Sequence, residues 1–197
     1  MVQDSTTYYV WIGGSCDYGH KEPTNEARAE SQARLGYALQ GGGGRRSQRA
    51  GGAAVVIELM EQREQSQREL NSAESRQKKT KSQHDGSIFS RDVISDLHTT
   101  EFRMMQTLMV KVMNELPDGS DILFLTNAAY IQNFDKTPTA KSANPDLISQ
   151  CIEAKTRHSS VSVKIVPYHK SPLLIETHDM ATEAMAKTRK EYHHDIQ

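Results

Sequence analysis

The sequence YYVWIGGSC, from Tyr8 to Cys16, decides the fold of this chain. Its first five residues are aromatic or aliphatic and two are β-branched, which favours a strand over a helix. The segment Gly13-Gly14-Ser15 then marks the place where the strand ends. Because the run is apolar on both faces, it predicts a strand in the middle of a sheet rather than at an edge.

Length and composition indicate a single domain with extensions. The chain has 197 residues, of which 36% are hydrophobic, a low fraction for a compact domain of this size. Lysine and arginine total 24, and aspartate and glutamate total 25. The overall charge therefore does not indicate nucleic-acid binding, and any basic surface must be local.

The two cysteines favour an intracellular protein, cytoplasmic or nuclear. Cys16 and Cys151 lie far apart without a CxxC motif, which indicates a reducing compartment and neither a disulfide framework nor a zinc site. We also expect no secretory signal and no membrane-spanning segment, since no apolar run approaches the required length. The oligomeric state stays open.

Apolar runs predict further strands, and apolar residues at helical spacing predict helices. The predicted strands are 53–59, 87–94, 121–126 and 160–166, and the predicted helices are 99–116, 146–155 and 174–192. Either Thr99 or Thr100 can cap the first of these helices, and Pro117 to Gly119 ends it. The resulting order is βββαβαβα.

Two polar segments interrupt the first half of the chain. A glycine-rich stretch, 41–52, predicts a flexible loop, and residues 60–84 predict a solvated helix or disorder. We therefore expect one domain over 1–197, with insertions at 18–50 and 60–84 and a tail at 188–197.

The order of elements and four local motifs resemble the type 1 ribonuclease H domain. In that family the first strand ends Thr-Asp-Gly-Ser, whereas here residues 12–15 are IGGS. The first long helix of the family begins Thr-Asn-Asn-Arg-Met-Glu-Leu, and residues 99–106 here are TTEFRMMQ. The family then shows Leu-Pro-x-Gly-Ser before a strand ending Thr-Asp-Ser-x-Tyr-Val, and this chain has LPDGS at 116–120 and TNAAYI at 126–131.

The fourth motif lies near the C-terminus. The last strand of the family leads to a Gly-His loop and a helix containing Asn-Glu-x-x-Asp-x-x-Ala, where this chain has YHKSP at 168–172 and IETHDMA at 175–181. The resemblance implies an α/β, ribonuclease H-like fold. That fold has a five-stranded mixed sheet, with three antiparallel and two parallel strands, flanked by helices.

The resemblance also implies where a metal site would lie. The family cleaves the RNA strand of an RNA–DNA hybrid with two magnesium ions held by four carboxylates. The matching positions here are Gly13, Met105, Asn127 and Asp179, so only one carboxylate remains. Glycine offers no ligand, a thioether is too soft for magnesium, and an amide is uncharged. We therefore expect no metal cofactor and no hydrolysis, with Met105 packing in the core.

An active hydrolase of RNA in RNA–DNA hybrids is the alternative. It would use magnesium or manganese at a displaced site built from nearby carboxylates, namely Asp17, Glu101, Glu176 and Asp179. One helical turn is about 5.4 Å, and metal catalysis tolerates far less displacement than that. The inactive domain is therefore the preferred hypothesis.

Other candidate residues have simple interpretations. His169 matches a mobile histidine of the family that assists product release or proton transfer, but without metals it is interpreted as an exposed loop residue. His178, His193 and His194 are interpreted as parts of a solvated tail. Trp11, on the strand face of Gly13, is expected to pack in the core.

Binding is the function that remains if the chemistry is lost. The expected partners are RNA, an RNA–DNA hybrid or a protein subunit, but no membrane. The basic protrusion of many family members is reduced here to 133–144, with only Lys136 and Lys141. The glycine-rich stretch holds three candidate nucleic-acid-binding residues, although a solvated linker is preferred for it: Arg45, Arg46 and Arg49. We expect a nucleic-acid-binding or protein-scaffold module.

Overall fold

A computed structural model of the protein describes residues 6–17, 50–60 and 87–194. Within these residues, five strands form one mixed sheet in the order β3-β2-β1-β4-β5. The strands are β1 (Thr7–Asp17), β2 (Ala50–Met60), β3 (Ser87–Leu97), β4 (Asp121–Thr126) and β5 (Ser160–Ile165). β1, β2 and β3 pair antiparallel, whereas β4 is parallel to both β1 and β5. The arrangement expected from the resemblance is therefore confirmed, with β1 in the middle of the sheet.

Three helices accompany the sheet in the described part of the chain. They are α1 (Glu101–Glu115), α2 (Pro145–Lys155) and α3 (Pro172–His194), with short 3-10 turns at Ala129–Asn133 and Tyr168–Lys170. Thr100 caps α1, since its hydroxyl accepts the Arg103 N–H at 3.2 Å. After Leu116 ends this helix, Gly119 adopts a φ of +78°, which glycine accommodates without strain.

The sheet is covered by helices on both faces. The larger core lies between the sheet and α1, where Ile12 of β1 packs with Met105 and Leu108, all fully buried. On the opposite face, Trp11 packs with Leu174 of α3. Because successive strand residues point to opposite faces, the apolar run of β1 fills both cores. None of the described helices has the length and apolar character needed to cross a membrane.

The glycine-rich pattern predicts a loop through Gly52, and this is wrong from Ala50 onward. Ala50, Gly51 and Gly52 belong to β2, and the two glycines pair with Cys16 and Ser15 of β1. A Cβ atom at Gly52 would lie 2.5 Å from the carbonyl oxygen of Ala181 in α3. Glycine is therefore required at this position so that the helix can pack closely against the strand.

Other elements also extend beyond their predicted ends. β3 runs to Leu97 rather than Ile94, and α3 spans Pro172–His194 rather than 174–192. The predicted loop at 169–172 also contains part of the 3-10 turn Tyr168–Lys170. Most of both predicted insertions lies outside the described residues, as do three candidate binding residues: Arg45, Arg46 and Arg49.

The close approach of α3 to β2 predicts the effect of adding one methyl group. Gly52→Ala would force the Cβ atom against the Ala181 carbonyl, so α3 would have to move. We expect the free energy of unfolding to fall by on the order of 1–3 kcal/mol, measured by urea denaturation. A midpoint equal to that of the wild type would contradict this packing.

The two free cysteines are expected to react differently. Burial raises the pKa of the Cys151 thiol to about 12, with a smaller contribution from the charge of Asp135, whereas Cys16 is only half-buried. At about pH 8, iodoacetamide should label Cys16 in the native protein and Cys151 only after unfolding, because the thiolate is the reactive form. Mass spectrometry of native and urea-unfolded samples checks this, and equal native labelling would contradict it.

Candidate functional site

The candidate site lies at the edge of the sheet where the parallel strands β1 and β4 end. Trp11 is the Cα partner of Leu125, so the chain continues two residues further to Gly13 on β1 and to Asn127 after β4. The carboxyl ends of adjacent parallel strands meet at one edge, which is where ligands bind in many α/β sheets. The N-terminal half of α3 and the first turns of α1 approach this edge from opposite faces.

Gly13 lies directly beneath α3. A Cβ atom at this position would be 2.5 Å from Thr177 Oγ1 and 2.9 Å from His178 Cδ2. Thr177 is fully buried, and its hydroxyl donates to the Leu174 carbonyl at 2.8 Å, which holds the side chain in place. No side chain fits at position 13 unless α3 or these side chains move.

His178 faces the end of β4, so its interpretation as solvated tail is wrong. Its Nε2 atom lies 2.9 Å from Asn127 Oδ1, and its ring contacts that of Tyr168 edge to face, with centroids 5.0 Å apart. With a proton on Nε2, the imidazole donates to the Asn127 amide oxygen. Asp179 is exposed and makes no hydrogen bond or ion pair with any residue that the structure describes.

Helical spacing was the available signal for His178. It follows Leu174 by four residues and precedes Ala181 by three, and both of these are buried against the sheet. The motif match aligned Asp179, one position further along the same helix, with a carboxylate of the family. For His193 and His194, the structure describes only the helical backbone.

On the opposite face, Met105 is fully buried, which confirms its expected role in the core. A Cβ atom at Gly14 would meet Met105 Cγ at 2.9 Å and Glu101 Cγ at 2.6 Å. The Tyr130 hydroxyl donates to Glu101 Oε1 at 2.5 Å and lies 3.5 Å from Met105 Sδ. Tyr130 therefore joins Glu101 and Met105 at the mouth of the site.

The three displaced carboxylates whose side chains the structure describes, Glu101, Glu176 and Asp179, do not form one cluster. Glu176 pairs with Arg91 of β3 at 2.6 Å, and Glu101 is bound by Tyr130. For Asp17 only the backbone, at the end of β1, is described. Within the described part of the chain, no three His, Cys, Asp or Glu side chains form a group suited to a metal ion. These donors do not fit the two magnesium ions that the resemblance implies.

The candidate residues His169 and Trp11 occupy different environments. His169 is exposed in the 3-10 turn, with its ring 5.2 Å from that of Tyr168. Trp11 is buried, and its Nε1–H donates to Glu58 Oε2 at 2.6 Å, which confirms core packing. Trp11 therefore offers no stacking surface to a ligand.

No protein-family model and no curated protein sequence matches the chain. Solved structures do resemble it. LC9-RNase H1, a type 1 RNase H with the type 2 active-site motif, matches with a TM-score of 0.60 and 14% identity, over 93% of this chain and 74% of its own. The N-terminal RNase H domain of a Mycobacterium tuberculosis protein, solved as a fusion with maltose-binding protein, matches with a TM-score of 0.58 and 8% identity, over 95% of this chain and 99% of its own.

A third similar structure is the foamy viral protease–reverse transcriptase in complex with dsDNA. Its TM-score is 0.51 at 10% identity, over 92% of this chain and 94% of its own. At these identities the similarity concerns the fold and not the activity. Together with the strand order and the sequence of elements, these structures establish that the chain has the ribonuclease H-like fold.

Proposed function

We propose that this chain is a ribonuclease H-fold domain that binds nucleic acid without hydrolysing it. The observation that carries the proposal is the packing of α3 on β1, where Thr177 and His178 fill the space that a side chain at position 13 would need. Two dications about 4 Å apart need anions around them. The amide of Asn127 and the exposed carboxylate of Asp179 do not supply that charge.

Exposed lysines favour nucleic acid over a protein partner. Five of them make no ion pair with any described residue: Lys136, Lys141, Lys164, Lys170 and Lys190. Such groups attract phosphates and release counterions on binding. The free thiols of Cys16 and Cys151 fit a reducing compartment, so we place the protein inside the cell.

The active hydrolase requires contacts in the site to break. Glu176 would have to leave Arg91, and Glu101 would have to leave the Tyr130 hydroxyl, before either carboxylate could turn toward a metal. Glu101 of α1 would also have to converge with Glu176 and Asp179 of α3. These contacts argue against the hydrolase, and the cleavage assay decides between the two functions.

The proposed function predicts that the chain does not cleave hybrids. A fluorescent RNA–DNA hybrid incubated with the full chain and magnesium or manganese should be cut no faster than by the Asp179→Ala variant, because that carboxylate lacks the partners a two-metal site needs. Gel electrophoresis of the products measures this. Robust metal-dependent cleavage that Asp179→Ala abolishes would defeat the inactive hypothesis.

The proposed function also predicts salt-dependent binding of nucleic acid. Gel shifts with single-stranded RNA, duplex DNA and an RNA–DNA hybrid should show binding that weakens steeply as salt rises. Neutralising Lys136 and Lys141 should reduce the salt dependence, and the same change at Arg45, Arg46 and Arg49 tests the glycine-rich stretch separately. The absence of any shift would contradict nucleic-acid binding and leave a protein partner.

Restoring a carboxylate at position 13 tests the packing of α3 on β1. Gly13→Asp should not create hydrolysis and should lower the free energy of unfolding by about 1–3 kcal/mol, because its Cβ atom would meet Thr177 and His178. Asn127→Asp is the matched control, since aspartate has the shape of asparagine and still accepts from His178. Thermal unfolding and the hybrid assay report both effects, and a stable, active Gly13→Asp variant would contradict this geometry.

A further inference from the structure

A cleft lies beside the candidate site, between α1, the 3-10 turn Ala129–Asn133 and α2. Its volume is about 340 Å³, near the lower end of the range for small-molecule sites, roughly 300–1,000 Å³. Phe102, Tyr130 and Ile148 form an apolar wall, and Asn133, Lys136 and Ser142 are among the polar residues that line the rest. The cleft therefore combines two aromatic rings with a cation and hydrogen-bonding groups.

The aromatic wall is held in place before any ligand arrives. The Phe102 and Tyr130 rings contact each other edge to face, with centroids 4.9 Å apart. The Tyr130 hydroxyl is anchored to Glu101, while 40% of the residue remains exposed. A ring that is already ordered loses little entropy when a planar ligand stacks on it.

The polar side of the cleft suits an anion attached to that planar group. Lys136 is exposed and has no carboxylate partner among the residues that the structure describes. The neighbouring cation Lys155 differs, because it pairs with Asp135 at 2.6 Å. A planar aromatic group next to a negative charge is the chemistry of a nucleobase and its phosphate.

We propose that this cleft receives one unstacked base of single-stranded RNA or DNA, with Tyr130 stacking on the base and Lys136 contacting the adjacent phosphate. The inference rests on the proposed nucleic-acid-binding function and specifies the strand that this function recognises. A base inside a duplex is paired and stacked on both sides, so it cannot enter the cleft without being extruded. The domain should therefore prefer single strands to duplexes.

The test uses fluorescence anisotropy of the full chain with labelled oligouridylate and with a duplex of equal length. Tyr130→Ala should weaken single-strand binding about tenfold and leave duplex binding within about twofold. Tyr130→Phe keeps the ring but loses the contact with Glu101, so it should bind single strands more tightly than Tyr130→Ala does. Phe89→Ala removes an exposed aromatic residue of β3 that does not line the cleft, and it is the matched control.

A second variant keeps the proposal testable if Tyr130→Ala does not fold. Lys136→Gln changes one exposed side chain, and it should weaken single-strand binding and lower its salt dependence by about one phosphate contact. Lys187→Gln, which alters an exposed lysine on α3, is its control and should have no effect on the affinity. Circular dichroism confirms that each variant is folded.

The outcomes separate the cleft from the proposed function. Wild-type protein that binds none of the nucleic acids overturns the proposed function. Binding that Tyr130→Ala and Lys136→Gln both leave unchanged overturns the cleft alone. Uridine monophosphate that displaces the oligonucleotide at equal concentration would show that a free nucleotide is the ligand, and this overturns recognition of a strand. Single-strand binding that both variants weaken supports the inference.

Discussion

The close approach of α3 to the sheet is the constraint on which the rest of the structure depends. Gly13 and Gly52 both lie under this helix, and a Cβ atom at either position would come within 2.5 Å of a helix oxygen. Protein interiors transmit such contacts because they are tightly packed. The position of α3 in turn brings His178 to Asn127 and leaves Asp179 exposed.

The packing of α3 on the sheet determines which chemical groups lie at the sheet edge. A hydrogen-bonded imidazole and amide stand at the end of β4, and a buried thioether stands on the α1 side. These groups carry far less negative charge than a pair of hard dications needs. The ribonuclease H-like fold is thus compatible here with recognition, because a fold positions side chains without prescribing their chemistry.

Tyr130 connects the candidate site with the neighbouring cleft. Its hydroxyl contacts Glu101 and Met105 at the site, and its ring contacts Phe102 in the cleft wall. The residue that engages a carboxylate at the sheet edge therefore also orders the surface on which a base would stack. Movement of the Tyr130 ring would disturb the contacts at the site and those in the cleft wall, so the two roles depend on each other.

The sequence by itself determined the central position of β1, a capping threonine at position 99 or 100 before α1, and the order of the elements. Apolar faces, caps and turn residues are local signals, and they were sufficient for these features. Only the tertiary structure decided that Gly51 and Gly52 belong to a strand and that His178, not Asp179, faces Asn127. Glycine is typical of loops, and its place in β2 depends on the close packing of α3, which is not a local signal. The helix residue that faces a strand end depends on how the helix lies across the sheet.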